Sequence, residues 1–272
     1  MEMKLPLVSV IMSVYDAVKS KHLEAALNSL ANQSYSNIEI ILVLDGVKRK
    51  DLLEIVKNYQ RTFGKMKVLI QKENKGLAKA MNLALRHING EFIARMDADD
   101  ISHPDRIKKQ VNFLLQNPEI DLVGTWAIEI NENGEKVFEK KMPLSHEECY
   151  KFFMKRDPVV HASVMFRQSF FEKAGFYPEN TYLAEDTMLW ANAFAAGCKF
   201  ANIPEYLYYP RIDQDFYRRR GGVKAAWGIF ECRIRVNKKL KYPFIAYIYA
   251  CLYGIIRLAP PFLLKWLYKK FR

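Results

Sequence analysis

The sequence is poor in glycine, proline and cysteine, and each shortage excludes a class of protein. Among 272 residues there are 12 glycines and 11 prolines, too few for a collagen-like or linker-rich chain. The four cysteines, Cys149, Cys198, Cys232 and Cys251, lie far apart and form no Cys-x-x-Cys pair, so neither a zinc site nor a redox pair is indicated. This cysteine usage favours a reducing compartment.

Long hydrophobic runs are also missing. The N-terminus leads directly into a β-branched segment, without a separate apolar region and cleavage site, so we expect no secretory signal. The longest apolar stretch, residues 243–256, ends at Arg257 and falls short of the roughly 18 residues that a spanning helix needs. We therefore expect a cytoplasmic protein whose C-terminal part lies at a membrane interface.

Positive charge is concentrated near the C-terminus. The formal net charge is +12, and residues 201–272 hold 15 Lys and Arg against 4 Asp and Glu, so the remainder of the chain is almost neutral. A basic segment of this kind indicates an anionic partner, which is lipid headgroups, a diphosphate or nucleic acid. Composition does not decide among them.

What is present is the pattern of a globular α/β protein. Half of the residues are hydrophobic and 26% are charged. Apolar runs at residues 7–15, 38–44, 66–70 and 91–96 alternate with amphipathic stretches at residues 22–31, 52–59 and 77–88. The alternation predicts a mostly parallel, Rossmann-like sheet with helices on both faces.

The pattern changes after Asp100. The predicted elements are a helix over residues 104–115, a hairpin over 122–142, a strand over 159–166 and a helix over 186–196 that ends at Gly197. They predict a mixed α+β second half of the same domain. Beyond residue 211 we expect an appended, basic and amphipathic C-terminal segment.

Acidic residues follow several of the predicted strands, and ligands of open parallel sheets bind beyond these strand ends. Asp97 and Asp99 are two residues apart, so extended backbone directs both carboxylates to one side, where they can share Mg²⁺ or Mn²⁺ with a diphosphate. The alternative is a polar turn that caps the next helix, with Asp100 or Ser102 as N-cap.

Two phosphate-binding motifs are absent from the sequence. No Gly-x-Gly-x-x-Gly follows the first strand, and no Gly-x-x-x-x-Gly-Lys-Ser/Thr occurs anywhere. A metal ion together with arginine is the simplest remaining way to hold a diphosphate.

Four motifs occur in a characteristic order: Val8-Ser-Val-Ile-Met-Ser-Val-Tyr15, Leu42-Val-Leu-Asp45-Gly46, Asn74-Lys-Gly-Leu-Ala-Lys-Ala-Met-Asn82 and Ala94-Arg-Met-Asp-Ala-Asp-Asp-Ile-Ser-His-Pro-Asp-Arg106. Together they resemble family 2 glycosyltransferases with a GT-A fold, over roughly residues 5–211. The C-terminal segment, with Arg218-Arg-Arg-Gly-Gly222, is similar to bacterial members that build exopolysaccharide, capsule or O-antigen.

The resemblance implies a nucleotide-binding half (1–100) and an acceptor-binding half (101–211) in one GT-A domain, followed by a membrane-associating segment (212–272). The implied reaction is inverting, metal-dependent transfer of a sugar from a nucleotide sugar, most simply a UDP-sugar, to a lipid-linked saccharide. No Gln-x-x-Arg-Trp motif of processive relatives is present, which favours transfer of a single sugar.

The resemblance also assigns residues to the donor site. The implied donor-binding residues are Tyr15, Asp45, Asn74, Gly76, Asp97, Arg211 and Arg218, and the implied metal ligands are Asp97 and Asp99. Tyr15 and Asp45 would contact the uridine, because a carboxylate can accept the uracil imide N–H. The alternatives are a core aromatic for Tyr15, a plain turn at Asp45, a helix cap at Asn74 and a solvated charge at Arg218.

For the general base, the resemblance points to the pair Glu185 and Asp186, of which we favour Asp186. Acidic residues at a helix N-terminus are the structural alternative. His161 lies where related enzymes carry a histidine, and a hydrogen-bonded structural residue is the favoured interpretation for it.

Two other functions compete with the transferase. Aromatic and basic residues over 241–270 suit the surface of an anionic membrane, but they also suit single-stranded nucleic acid, or a helix packed on the domain. The acidic strand ends argue against a nucleic-acid partner. A sugar-nucleotide pyrophosphorylase would need a glycine-rich loop after the first strand, where this chain has Met12-Ser-Val-Tyr15-Asp16.

Overall fold

The computed structural model describes residues 5–181, 184–213, 221–260 and 263–264. Within these residues the strands are β1 (Val8–Val14), β2 (Ile38–Asp45), β3 (Met66–Gln71), β4 (Phe92–Asp97), β5 (Ile101–Ser102), β6 (Leu122–Ile130), β7 (Lys136–Lys140), β8 (Met165–Arg167) and β9 (Phe200–Tyr209). The helices are α1 (Ser20–Ala31), α2 (Lys50–Phe63), α3 (Leu77–Leu85), α4 (Arg106–Gln116), α5 (His146–Phe153), α6 (Ser169–Ala174), α7 (Glu185–Ala195), α8 (Val223–Lys239) and α9 (Phe244–Arg257).

The first half of the chain forms the parallel part of the sheet. Its strands lie in the order β3-β2-β1-β4, and all three neighbouring pairs are parallel. The register pairs Val14 with Leu44 and Ser13 with Asp97, so β1, β2 and β4 end at one edge. The predicted α/β architecture is confirmed, and it brings the acidic strand ends together.

The second half adds mixed pairing to the same sheet. Strand β8 is antiparallel to β4 and to β6, whereas β9 is parallel to β6. The predicted hairpin is confirmed, with β6 and β7 antiparallel and Gly134 at φ +87° in the connecting turn. The helix predicted up to Gly197 is also present as α7, and Gly197 has a φ of +79°.

The strand predicted over residues 159–166 is present only at the end of that range, as β8 (Met165–Arg167). The chain there makes a 3-10 turn, His161–Ser163, before the short strand β8 begins. Ser163 bends the backbone, because both its N–H and its Oγ donate to the carbonyl oxygen of Val160, at 2.8 and 2.9 Å. The turn interrupts the extended run of apolar residues and carries His161 toward the edge where the acidic residues lie.

Helices cover both faces of the sheet, as expected. One core contains Leu23 and Leu27 of α1, Leu52 of α2 and Ile107 of α4. The other core contains Met81 of α3, Trp190 of α7 and Val236 of α8. These two apolar layers hold the strand ends, and therefore the acidic residues after them, in fixed positions.

The described part of the C-terminal segment packs on the domain. Cys232 and Val236 of α8 and Ala246 of α9 are buried in the same core as Trp190, and Tyr242 between the two helices is only 7% exposed. The expected appendage is therefore partly a structural layer of the domain, although the boundary at residue 211 stays a prediction. Among the described helices, none is both long enough and apolar enough to cross a bilayer.

We expect Gly46→Ala to destabilise the chain more than Gly64→Ala. Both glycines have a φ of +69°, which costs an alanine about 1–2 kcal/mol. A Cβ on Gly64 meets nothing within 4 Å, whereas one on Gly46 lies 2.8 Å from the carbonyl carbon of Glu73 and clashes with the backbone of Asn74. Thermal unfolding of both variants tests the difference, and equal losses would contradict the packing of β2 against this loop.

Candidate active site

Three carboxylates cluster where β4 ends. One ligand oxygen from each of Asp97, Asp99 and Asp100 lies within 4.8 Å of the other two. Asp97 is half-exposed and is held by the buried Arg95, whose Nη1 donates to Asp97 Oδ2 at 2.7 Å while Nη2 pairs with Oδ1. The structure thus brings together the two predicted metal ligands and adds Asp100.

It is unfavourable for all three carboxylates of this cluster to be ionised at once when no metal ion is bound. Burial, and then the charge of Asp97, raise the pKa of Asp99 to about 6. Burial and the charges of Asp99 and Asp97 also raise the pKa of Asp100 well above its ordinary value. Carboxylate oxygens are the ligands that Mg²⁺ and Mn²⁺ prefer, so the residues present fit such an ion.

The helix-capping alternative for these aspartates is wrong. Helix α4 begins at Arg106, its N-cap is Asp105, and no side chain caps it. Asp100 instead accepts a hydrogen bond from the backbone N–H of Arg211 at 2.7 Å, and the backbone N–H of Ser102 donates to Ser29 Oγ. Asp100 therefore fixes the chain after β9 against the end of β4.

Arg211 binds main-chain oxygens. Its Nε donates to the carbonyl of Asp99 at 2.9 Å, and its Nη1 donates to the carbonyls of Asn131 at 2.8 Å and Glu132 at 3.1 Å. The sequence does not predict this role, because every residue has a main-chain carbonyl oxygen and such acceptors cannot be recognised from residue types. The predicted contact of Arg211 with the donor stays a prediction. Arg218 lies outside the described residues.

The predicted uridine contacts surround the end of β2. Asp45 is buried, and its two oxygens accept from the backbone N–H groups of Lys75 at 2.7 Å and Gly76 at 3.0 Å. Asn74 Oδ1 also accepts from Gly76 N–H, at 3.2 Å. Tyr15, next to the end of β1, is 45% exposed and is not a core residue. Asp45 therefore ties the end of β2 to the loop that precedes α3.

Asp186 and Glu185 occupy the first turn of α7. Asp186 Oδ1 accepts from the backbone N–H of Thr187 at 2.7 Å. Burial, and then the charges of Asp157 and Glu185, raise the pKa of Asp186 to about 7. A carboxyl group with this pKa exchanges protons near neutral pH, as a general base must.

His161 lies between Asp186 and Tyr177. Its Nε2 is 2.9 Å from the hydroxyl of Tyr177, and its Nδ1 is 3.9 Å from Asp186 Oδ2. Burial, and then the charge of Arg95, lower the pKa of His161 well below its ordinary value. The ring is therefore neutral near pH 7 and serves as a hydrogen-bonded structural residue, which agrees with the favoured interpretation of the sequence.

Arg95 connects the two groups of acids. Its guanidinium is paired with Asp97. Its positive charge also opposes the rise in the pKa of both Asp99 and Asp186. Our reading of the sequence missed this residue. The signal was available, because an arginine in an otherwise apolar strand is seldom buried without a partner for its charge.

Comparison with known proteins identifies the family of the chain. The "Glycosyl transferase family 2" profile matches residues 9–175. A glycosyltransferase of uncharacterised specificity from Haemophilus influenzae is 35% identical over 97% of this chain and 98% of its own length. The amylovoran biosynthesis glycosyltransferase AmsE of Erwinia amylovora is 32% identical over the same shares of the two chains, 97% and 98%.

A third relative has a more specific name. The UDP-Gal:alpha-D-GlcNAc-diphosphoundecaprenol beta-1,3-galactosyltransferase of Escherichia coli is 29% identical over 97% of this chain and 96% of its own length. The chain belongs to glycosyltransferase family 2. This membership decides for a glycosyltransferase over a pyrophosphorylase or a nucleic-acid-binding protein.

Solved structures share the fold. TarS of S. aureus (residues 1–349, with UDP-GlcNAc) superposes with a TM-score of 0.70 at 18% identity, covering 98% of this chain and 76% of that one. The mannosyltransferase PcManGT of Pyrobaculum calidifontis, with GDP-Man and Mn²⁺, gives a TM-score of 0.66 at 17% identity, covering 99% and 77%. The GT-A fold is confirmed.

Asp186→Asn should raise the melting temperature at pH 8, and the gain should shrink toward pH 4. The pKa of Asp186 is about 7 in the folded chain and near 3.8 when unfolded, so the folded state holds the proton more tightly between these values. Stability conferred by this group therefore falls as pH rises from about 4 to about 7. At pH 8 the full cost of burying the carboxylate is present, and asparagine removes it.

Thermal melts at several pH values measure this effect. Glu185→Gln removes a charge from the same helical turn and controls for the helix dipole. If Asp186 served only to favour the N-terminus of α7, Asp186→Asn would lower the melting temperature at pH 8, because the free energy of unfolding would fall by about 1 kcal/mol or less.

Proposed function

We propose that the chain transfers one sugar from a nucleotide sugar, most simply a UDP-sugar, to a lipid-linked saccharide, with inversion at the anomeric carbon and with Mg²⁺ or Mn²⁺. One observation carries the proposal: the carboxylates at the end of β4 and Asp186 at the start of α7 are two separate acidic groups that both lie within electrostatic reach of Arg95. A donor diphosphate and an acceptor hydroxyl need such separate acidic groups, one for the metal and one for the proton.

The donor is assigned to the edge formed by β1, β2 and β4. Asp97 and Asp99 would hold the ion, with Asp100 beside them. When bound, the ion neutralises the negative charge that develops on the leaving diphosphate. Asp45 retains lone pairs beyond the two bonds that it accepts from the backbone, so it can also accept the uracil imide N–H.

The remaining donor contacts follow from position. Tyr15 offers an exposed ring beside the end of β1, where it can lie against the uracil, and Asn74 and Gly76 border the same edge. Arg211 donates from Nε to the carbonyl oxygen of Asp99, so its guanidinium lies next to the proposed metal ligands, where it can contact the diphosphate. Arg218 is retained as a second diphosphate contact on the basis of the sequence alone.

Asp186 acts as the general base, with Glu185 as the alternative on the same turn. In a direct displacement the acceptor hydroxyl attacks the anomeric carbon while Asp186 takes its proton, and the bond to the diphosphate breaks on the opposite side. A base is most effective when its pKa lies near the working pH, and the pKa of Asp186 is about 7.

Names of related proteins support the substrates. The E. coli relative is named for UDP-Gal and a GlcNAc-diphosphoundecaprenol acceptor, and AmsE is named for amylovoran biosynthesis. TarS was solved with UDP-GlcNAc and PcManGT with Mn²⁺. A lipid-linked acceptor in bacterial surface polysaccharide synthesis is the substrate class that these names favour.

An acceptor of this kind places the enzyme at the inner face of the cell membrane, and α9 provides a surface for it. Five apolar side chains are 41–79% exposed along one face of α9: Phe244, Ile245, Ile248, Leu252 and Ile255. The opposite face consists of small buried residues, Ala246, Ala250 and Gly254, and Gly254 lies against Phe230 of α8. In the sequence, Lys241 precedes α9 and Arg257 is its last residue.

This exposed face of α9 fits an anionic lipid surface. Its apolar stripe is too short to span a bilayer but can insert at the headgroup boundary, and the basic charge of the C-terminal segment complements anionic lipids. Of the aromatic residues expected to face the lipid, Tyr242 is buried, so that part of the expectation is wrong. Trp266 and Tyr268 lie outside the described residues.

Two variants with the same chemical change separate the donor site from the base. Asp99→Asn should abolish Mn²⁺-dependent binding of UDP, because it removes a charged ligand of the ion. Asp186→Asn should leave that binding unchanged but slow sugar transfer by roughly 10²- to 10⁴-fold, because an amide cannot take a proton. Titration calorimetry with UDP and Mn²⁺, and transfer to a diphosphoundecaprenol-linked sugar, provide the two readouts.

Each variant controls for the other, since both replace one carboxylate by an amide. Undiminished metal-dependent affinity in Asp99→Asn would remove the acidic cluster from the donor site. Full activity of Asp186→Asn would move the base to Glu185 or elsewhere, and loss of UDP binding in it would place Asp186 on the donor side.

Ile255→Asp should weaken binding to anionic liposomes by roughly tenfold or more, since it removes an inserted apolar side chain and adds a repelled charge. Ile70→Asp is the matched control, because Ile70 is 73% exposed on β3 and Ile255 is 63% exposed on α9. Flotation of both folded variants with vesicles containing phosphatidylglycerol measures the effect. Equal flotation of the two would refute the assignment of the α9 face to lipid.

A further inference from the structure

The first turn of α7 is held by an acidic residue from another part of the chain. The hydroxyl of Thr187, next to Asp186, donates between the two carboxylate oxygens of Asp157, at 3.0 and 2.9 Å. Thr187 is 2% exposed, so its hydroxyl needs a protein partner. Asp157 lies between α5 and the 3-10 turn, 30 residues before Thr187.

Asp157 is held in turn by the C-terminal segment. Arg233 of α8 donates from Nη2 to Asp157 Oδ1 at 2.9 Å and from Nη1 to the carbonyl oxygen of Phe153 at 3.0 Å. The side chain of Arg233 is 3% exposed and that of Asp157 is 28% exposed. A buried guanidinium with these fixed acceptors has one orientation, and it imposes that orientation on Asp157.

We propose that Asp157 and Arg233 are positioning residues for the base: Asp157 orients the first turn of α7 through Thr187, and Arg233 holds Asp157 and offsets its charge next to Asp186. The inference rests on the proposed role of Asp186 and extends it to a residue of the C-terminal segment. Helix α8 then helps to position the base through Arg233, in addition to forming a packing layer.

Among the residues that the structure describes, charged and titratable groups reach Asp186 from every element packed around it. They are Asp157 after α5, Glu185 on α7 itself, Arg95 on β4, His161 on the 3-10 turn, Tyr177 after α6, and Cys232 beside Arg233 on α8. Among the named charges on Asp186, that of Asp157 is the largest in raising its pKa, ahead of Glu185. Arg233 is the cation directly bonded to Asp157, so it limits this effect.

Two substitutions should move the pH profile of transfer in opposite directions. Asp157→Asn removes a negative charge, so Asp186 ionises more easily and the rise of rate with pH moves to lower pH. Arg233→Met leaves Asp157 uncompensated, so the rise moves to higher pH. We expect shifts on the order of half to one pH unit, with the KM for the donor unchanged.

Charge-matched and conservative variants exclude a merely structural effect. Arg235→Met and Glu231→Gln alter an exposed ion pair on the same helix, and each lies two residues from Arg233. Both variants should leave the pH profile in place. Arg233→Lys retains the charge and should return the profile toward that of the wild type. Lower rates at all pH values with an unmoved profile in both Asp157→Asn and Arg233→Met would overturn the proposal.

A second measurement distinguishes failure of this inference from failure of the proposed base. The difference in melting temperature between chains with and without Asp186→Asn, followed from pH 5 to pH 9, reports the ionisation of Asp186 without any turnover. Repeated in the Asp157→Asn and Arg233→Met backgrounds, its midpoint should move down and up respectively. Midpoints that stay in place would overturn the inference. If the midpoints move but the pH profile of the rate stays in place, the result overturns the role of Asp186 as base.

Discussion

The buried guanidinium of Arg95 is the constraint on which the site depends. It is 2% exposed at the centre of an apolar strand, and a charge in that position is tolerated only with close acidic partners. Asp97 makes two contacts with the guanidinium, and the charge of Arg95 also reaches Asp99 and Asp186. Because β4 holds Arg95 in place, one guanidinium offsets negative charge on both the proposed donor side and the proposed base.

The acceptor side is assembled from parts of the chain that are far apart in sequence. Helix α7 provides Asp186, the segment after α5 provides Asp157, and α8 provides Arg233. Helix α9 packs on α8 through small residues and turns its apolar face outward. In the proposed function, the surface that contacts the lipid is therefore separated from the base by a single layer of helix, which suits an acceptor whose sugar is linked to a membrane lipid.

The sequence predicts those features that are local in the chain. The order of strands and helices, the acidic residues that follow β2 and β4, and the acidic turn at Glu185 are all encoded within short segments. Two other contacts join residues 76 or more positions apart and have no local sequence pattern. They are the ion pair of Asp157 with Arg233 and the hydrogen bonds from Arg211 to main-chain carbonyl oxygens. The turn at Ser163 was hidden because one hydroxyl redirects an otherwise strand-like apolar run.

The most direct test of the account is a crystal structure of the chain with UDP and Mn²⁺, with the ion located by its anomalous scattering. The account predicts one strong anomalous peak at coordination distance from the carboxylates of Asp97 or Asp99, with the uracil against Asp45 and the space between the diphosphate and Asp186 left for the donor sugar and the acceptor. A manganese ion elsewhere, or a uracil bound away from β2, would contradict the assignment of the donor to the edge formed by β1, β2 and β4.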